Sequence, residues 1–348
     1  MLNKGQVGDS ALNRLNYVDF IRFFSIIMVI TLHCICDYYV DSVNFNKKLW
    51  FLIGFVNELC RTGVPLFFMI SGYLILRADI PDFGSFYRRR ILKIGIPFLI
   101  YNAFYYTFFC LKNGVSISVA GLFKEFINCG SAYHLWFIYS IFFLYLIMPF
   151  VKIIVDNVGL KMLTVFFFFM IFQTTVKPFL NTIFGGGLYF YFAEDGMVGY
   201  LGYMILGYIL GNFDLSTRVR RFIYILGCVF FVATPLASMR SAASGKEFLF
   251  IGGYSANHYA EAAAIFLLCK NKFSFKCSFL TLLSKLTFGA YFAHVFILEL
   301  LKTVPIDTLP SVKISIWVIF TVILSFFWGF IEFKIIKLVK PKTAVARS

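Results

Sequence analysis

Residues 17–34, YVDFIRFFSIIMVITLHC, decide the fold of this chain, because they are apolar and long enough to cross a lipid bilayer as a helix. A helix satisfies its own backbone hydrogen bonds, which an extended segment in lipid cannot do. Three ionisable side chains, those of Asp19, Arg22 and His33, interrupt this apolar run. Because such groups are costly inside a membrane and usually mark a pathway or a site, they are the first functional candidates.

The composition extends the prediction of membrane helices to the whole chain. Of the 348 residues, 60% are hydrophobic and 14% are charged, whereas about 25% of the residues in an ordinary soluble domain are charged. The sequence predicts an all-α, polytopic membrane protein with one domain over residues 1–348, a helical core at about 18–333 and short cytoplasmic tails. About ten transmembrane helices are expected, at 18–36, 51–76, 94–111, 135–154, 160–176, 197–213, 222–238, 254–269, 286–301 and 314–333.

The distribution of Lys and Arg predicts the orientation of these helices. With the N-terminus inside, 21 of the 32 basic residues fall in inner segments and nine in outer ones, so the positive-inside rule favours two cytoplasmic termini. The net charge of +15 is thereby explained by topology, and no nucleic-acid partner is expected.

The start of the chain does not fit a cleaved signal peptide, so the first helix is expected to remain. The eight cysteines lack CxxC or metal-ligand spacing and predict neither a disulfide framework nor thiolate chemistry.

Arg22 and His33 share one face of the first helix, because eleven residues correspond to three turns plus roughly 20°. The same spacing separates them by about 16 Å along the helix axis. A cation near the inner surface suits a phosphorylated donor, and a histidine nearer the outer surface suits proton removal from a hydroxyl. Asp19 can pair with Arg22, and Asp37 can orient His33 if the helix continues that far. The alternative is that the Arg22–Asp19 pair only anchors the helix and a neighbouring helix satisfies His33.

The second apolar segment carries a further charged pair, Glu58 and Arg61, and is interrupted by Gly63 and Pro65. It is therefore expected to tilt or to contain a broken half. Further along, Ser71 and the adjacent glycine permit close helix approach. The inner loop that follows contains a dense basic cluster, which either grips donor phosphates or follows the positive-inside bias and touches anionic lipid; its members are Arg88, Arg89, Arg90 and Lys93.

The remaining histidines are His134, His258 and His294, and Glu261 lies one turn beyond His258. On the predicted topology, His33, His134 and His258 lie toward the outer leaflet. Because the histidines belong to different helices and no carboxylate pattern accompanies them, the sequence predicts no metal site. His134 beside Trp136 can also be only an interfacial anchor.

Together these motifs resemble the membrane-bound acyltransferase-3 family of bacterial O-acyltransferases. The signature is an Arg and a His with ten residues between them in the first helix, as Arg22 and His33 have. The other matching motifs are Tyr17 with Asp19, VPLFFMISGYLI at 64–75, RRR-x-x-K at 88–93, HLWFIY at 134–139, and Gly289, Tyr291 and His294 in G-x-Y-x-x-H. The resemblance covers nearly the whole chain. In appearance it is closest to the short, single-domain type that includes the enterobacterial common antigen O-acetyltransferase.

The resemblance implies an enzyme of the bacterial inner membrane that transfers an acyl group, usually acetyl from cytoplasmic acetyl-CoA. The acceptor would be a hydroxyl of a cell-surface or lipid-linked glycan, and no bound cofactor is implied. His33 would be the catalytic histidine, oriented by Asp37 or Glu261, while Arg22 and the basic cluster would engage the donor. Larger members carry an extra soluble domain that this chain does not show, so a small or lipid-linked acceptor is expected. The family also includes succinyl-transferring members and membrane domains attached to amino-acid racemases.

The sequence also fits two other functions. A transporter or flippase for a lipid-linked sugar or an acyl group would line its pathway with the same buried charges. A structural partner in a polysaccharide-export complex would tolerate conservative changes at Arg22 and His33.

Overall fold

A computed structural model describes residues 15–45, 47–128, 130–176, 180, 195–243, 255–273 and 275–339. Within these ranges the chain is helical and contains no strand, which confirms the all-α class. The α-helices are α1 Asn16–Phe45, α2 Lys47–Arg61, α3 Gly63–Arg77, α4 Phe83–Arg90, α5 Ile96–Asn113, α6 Val119–Ile127, α7 Trp136–Asn157, α8 Leu160–Ile171, α9 Asp195–Asn212, α10 Thr217–Ala243, α11 Ala256–Lys272, α12 Ser278–Lys302 and α13 Pro310–Val339. Two π-helices, Ile91–Gly95 and Phe172–Val176, and a 3₁₀ turn, Tyr133–Leu135, complete the described helices.

Seven segments of the described chain are long and apolar enough to cross a membrane, which confirms a polytopic membrane protein. They are Asn16–Tyr38, Lys48–Arg77, Phe83–Asn113, Tyr133–Asn157, Thr217–Ser238, Ser278–Lys302 and Pro310–Leu338. The three other predicted segments correspond to shorter helices, which are α8 with its following π-helix, α9 and α11. The number of ten spans and the orientation stay predictions.

The break expected in the second apolar segment lies at Thr62, between α2 and α3. Pro65 has no N–H to donate and therefore cannot continue the α2 hydrogen-bond pattern. The carbonyl oxygen of Leu59 accepts two hydrogen bonds from Thr62, one from its backbone N–H at 3.2 Å and one from its hydroxyl at 2.7 Å, which close the last turn of α2. Gly63 is the first residue of α3. A Cβ there would lie 2.9 Å from the carbonyl oxygen of Ser25 on α1, so glycine permits the close approach of the two helices.

The chain forms two compact units, the first comprising the described residues up to Ile70 and from Phe213 onward. In this first unit α1 is the central helix and packs against α2, α11, α12 and α13. The side chains of Ile21, Ile26 and Ile30 are fully enclosed. Since lipid is as apolar as these side chains, close packing stabilises the bundle more than removal from water does.

The second unit, Ser71–Asn212, contains the amphipathic helix α4 and its continuation into α5. Asp82 caps α4 by accepting hydrogen bonds from the backbone N–H groups of Gly84 and Ser85. Together with the hydroxyl of Ser85, these donors hold the pKa of Asp82 below its ordinary value. The π-helix Ile91–Gly95 then joins α4 to α5 without a loop, so the basic cluster lies on a continuous helical segment.

Close helix approach at the predicted small-residue site occurs within the second unit. A Cβ on Gly72 would overlap the backbone of Met204 on α9, so only glycine fits at this crossing. Ser71 accepts a hydrogen bond from the hydroxyl of Tyr145 at 3.2 Å. Gly72 thus lies at a close helix crossing, next to the hydrogen-bonded Ser71.

Candidate active site

His33 lies on the central helix of the first unit, where its ring stacks on that of His294. The ring centroids are 5.2 Å apart and the planes meet at 29°. His294 belongs to α12 and is fully buried, and its Nδ1 lies within hydrogen-bond distance of the carbonyl oxygen of Tyr291, one turn earlier. The G-x-Y-x-x-H motif therefore places a second, internally fixed imidazole against the predicted catalytic histidine.

Arg22 lies just under two turns into the same helix and forms the predicted pair with Asp19, with an N–O distance of 3.7 Å. Asp19 is buried, and it accepts a hydrogen bond from Ser284 at 2.7 Å and one from Thr281 at 3.3 Å. Both hydroxyls come from α12. The helix that fixes His294 beside His33 thus also fixes the carboxylate beside Arg22, while the Arg22 side chain keeps 35% of its surface exposed.

The two carboxylates expected to orient His33 have other partners. Helix α1 does continue through Asp37, but that carboxylate accepts a hydrogen bond from Lys302 at 2.6 Å. Glu261 lies beside Glu58 and His258 in a separate cluster of buried groups. His33 stacks on His294, and the orienting role of Asp37 and Glu261 stays a prediction.

A second cluster of ionisable groups lies in the first unit, between α2 and α11. Glu58, His258 and Glu261 are buried, and their ligand atoms lie within 4.8 Å of one another. Arg61, one turn after Glu58, lies near both Glu58 and His258. The sequence identified each of these residues, but it gave no sign that they meet.

The basic cluster belongs to the second unit, at the end of α4 and in the π-helix that follows. Arg88, Arg89 and Lys93 are exposed, whereas the guanidinium of Arg90 is half-buried. Arg90 lies over the ring of Phe86 at 4.7 Å and over that of Tyr145 at 5.0 Å, which is the geometry of a cation–π contact. Three cations thus remain at the surface and one is fixed between aromatic rings.

His134 is a packed residue of the second unit. It lies in the 3₁₀ turn before α7, is buried, and meets the ring of Tyr105 edge-on at 4.9 Å. Trp136 packs against Tyr200 at 5.5 Å. His134 is thus enclosed among aromatic rings, and its role as a site residue stays a prediction.

The site residues that sequence reasoning missed are the partners contributed by α12. Ser284 and Thr281 carry no charge and stand in an ordinary apolar pattern, so nothing local distinguishes them. Lys302 lies at the end of α12, where a cation is common in any helix. Only the contacts in the folded chain reveal the roles of these residues.

The fold and this arrangement define a multi-pass membrane protein with Asp19, Arg22 and His33 on the central helix of its first unit. The family model described as an acyltransferase domain, that of the acyltransferase-3 family, matches residues 15–331. The chain therefore belongs to the membrane acyltransferase-3 family.

An amino-acid racemase from Enterococcus faecalis is similar to part of this chain, with 30% identity over 132 residues. The match covers 36% of this chain, and the chain spans only 18% of that relative's length. No solved structure matches the chain.

Proposed function

We propose that this membrane acyltransferase moves an acetyl group from cytoplasmic acetyl-CoA to a hydroxyl of a cell-surface or lipid-linked glycan, in the bacterial inner membrane. The observation that carries the proposal is the placement of Arg22 and His33 on the central helix of the first unit, where α12 fixes Asp19 beside Arg22 and places His294 against His33. An anion-binding group and a proton acceptor about 16 Å apart along the axis suit a donor and an acceptor that approach from opposite sides.

The proposed chemistry is transfer from a thioester to an alcohol. His33 accepts the proton of the sugar hydroxyl as its oxygen attacks the carbonyl carbon of the acyl group. The carbon–sulfur bond of the thioester then breaks, and the coenzyme A thiolate takes up the proton. The reaction needs no oxidant and no further reactant, so the two substrates account for every atom.

Donor binding is proposed for the cations of each unit separately. Arg22 keeps part of its guanidinium exposed beside a fixed carboxylate, and a planar, forked guanidinium suits phosphate oxygens. In the second unit, Arg88, Arg89 and Lys93 are exposed and suit the phosphates of a nucleotide. Arg90 lies over two aromatic rings, and we propose that it stabilises the helical conformation of the basic segment.

The test compares surface glycans purified from cells that carry the wild-type chain, no chain, or the His33→Ala variant. Proton NMR of these glycans separates an acetyl methyl signal from the methylene signals of a succinyl group. Cys36→Ala is the matched control, because Cys36 is exposed on the same helix close to His33. We expect the O-acyl signal with the wild type and Cys36→Ala, and its loss with His33→Ala and without the chain.

Other outcomes redirect the proposal. A near-full signal with His33→Ala would show that another group is the base. Identical spectra from all four strains, with the protein confirmed in the membranes of the three that carry it, would refute acyl transfer to these glycans. That result would favour a transporter function.

A further inference from the structure

The buried cluster between α2 and α11 has the geometry of a metal site. Glu58 is 4% exposed, His258 is 0% and Glu261 is 2%. The Nε2 atom of His258 lies 3.2 Å from Oε1 of Glu58. Two ligand atoms at 2.0–2.2 Å from one ion are separated by about 3.0–3.4 Å at octahedral or tetrahedral angles. The pair therefore already has the spacing of two ligands on one ion.

The hydrogen bonds around His258 direct its Nε2 lone pair into this cluster. The hydroxyl of Ser255 donates to Oδ1 of Asn257 at 2.7 Å, and Asn257 donates to the hydroxyl of Thr234 at 3.2 Å. Since Ser255 has one proton and gives it to Asn257, it can only accept from Nδ1 of His258, which lies 3.2 Å away. A metal-binding histidine is commonly held in this way, by donating its other ring N–H to an oxygen.

The cluster brings together negative charge that a bound cation would neutralise. Two buried carboxylates face each other, and the single guanidinium of Arg61 nearby does not offset both. Glu261 faces Glu58 and the side chain of Thr234, whose single hydroxyl proton cannot satisfy both oxygens of the carboxylate. A proton can bridge only two of the three facing groups, whereas a metal ion binds all three at once.

We propose that Glu58, His258 and Glu261 bind one divalent transition-metal ion, for which Zn²⁺ is the first choice. One imidazole and two carboxylates are ligands that Zn²⁺ accepts, and Mn²⁺ shares the preference for carboxylate. Three protein ligands leave a fourth position for water or substrate. The ion joins α2 to α11 and belongs to neither the His33–His294 pair nor the Arg22–Asp19 pair.

The experiment measures the metal content of the full chain, purified in detergent through an affinity tag without histidines. Inductively coupled plasma mass spectrometry compares the wild type with Glu261→Gln, His258→Ala and the control Asp156→Asn. Asp156 is an exposed carboxylate paired with Lys152, outside the cluster. We expect near-stoichiometric metal in the wild type and the control, and a decrease of at least about tenfold in the two cluster variants.

A second measurement keeps the proposal testable if a cluster variant fails to fold. Wild-type protein stripped with a chelator should gain thermal stability when Zn²⁺ or Mn²⁺ is added back. Ser255→Ala should weaken the metal affinity about tenfold, because it removes the acceptor of the Nδ1 proton. The proposal is overturned if the wild type carries no more metal than a buffer blank and gains no stability, or if both cluster variants retain wild-type metal.

Discussion

Replacing His294 tests whether it positions the proposed catalytic base. Its ring stacks on His33 with a centroid distance of 5.2 Å, and an aromatic pair of this kind contributes about 0.5–1.5 kcal/mol beyond its area. If that energy holds His33 in its reactive orientation, His294→Ala should lower kcat about 2- to 12-fold, since each 1.36 kcal/mol is tenfold in rate. KM for the donor should change little, because the Arg22–Asp19 pair is untouched.

The assay follows transfer of radiolabelled acetyl from acetyl-CoA to purified glycan by membranes with equal amounts of each variant. His294→Phe is the informative partner variant, because phenylalanine keeps a ring against His33 but has no ring nitrogen. A positioning role predicts that the Phe variant recovers most of the rate that the Ala variant loses. The double variant His33→Ala with His294→Ala should be no slower than His33→Ala alone, because a positioning residue has nothing left to position.

Two results would refute this reasoning. A full wild-type kcat for His294→Ala would show that the stacked contact does not matter to the reaction. A loss from His294→Ala that persists undiminished in the His33→Ala background would assign His294 an action of its own.

Three further predictions concern stability and donor binding. Ser284→Ala should destabilise the protein by about 1.5–3 kcal/mol, because it removes a charge-assisted hydrogen bond to buried Asp19; unchanged thermal unfolding in detergent would contradict this. Arg89→Gln should raise KM for the acyl donor at nearly constant kcat, which steady-state kinetics measures. Gly72→Ala should lower the yield of folded protein, because its Cβ would overlap the backbone of α9, whereas Gly159→Ala should not, since no atom lies within 4 Å of a Cβ there.

Features that depend on local sequence were predictable. The apolar run at 17–34 fixed α1, and Asp19 with Arg22 formed the pair expected from their i,i+3 spacing. Gly63 and Pro65 predicted the helix break that lies at Thr62 in the structure. In each case backbone chemistry or helix geometry decides the outcome within a few residues.

The contacts between distant helices were not predictable. Glu58 meets His258 and Glu261 across about 200 residues of chain, and His33 meets His294 across a still longer interval. In a membrane, the side of a helix that faces protein is about as apolar as the side that faces lipid, so periodicity does not reveal which helices pack together. The absence of a local carboxylate pattern around the histidines therefore carried no information on a shared site.

Asp37 illustrates a different limit of sequence reasoning. Its position one turn beyond His33 made it the obvious orienting group, and the helix does continue through it. A carboxylate near a membrane surface, however, pairs with whichever cation the fold brings closest. Here that cation is Lys302, 265 residues away in the sequence.

The π-helix Ile91–Gly95 gives the basic cluster an unusual evolutionary freedom. A π turn holds one residue more than an α turn, so it is equivalent to a single-residue insertion in an otherwise α-helical segment. Deleting one residue there would restore α-helical geometry and leave the arginines of α4 facing nearly the same side relative to α5, because the wider π turn absorbs the rotation of the extra residue. One codon can therefore be gained or lost at this place while the cationic surface of α4 keeps its direction relative to α5.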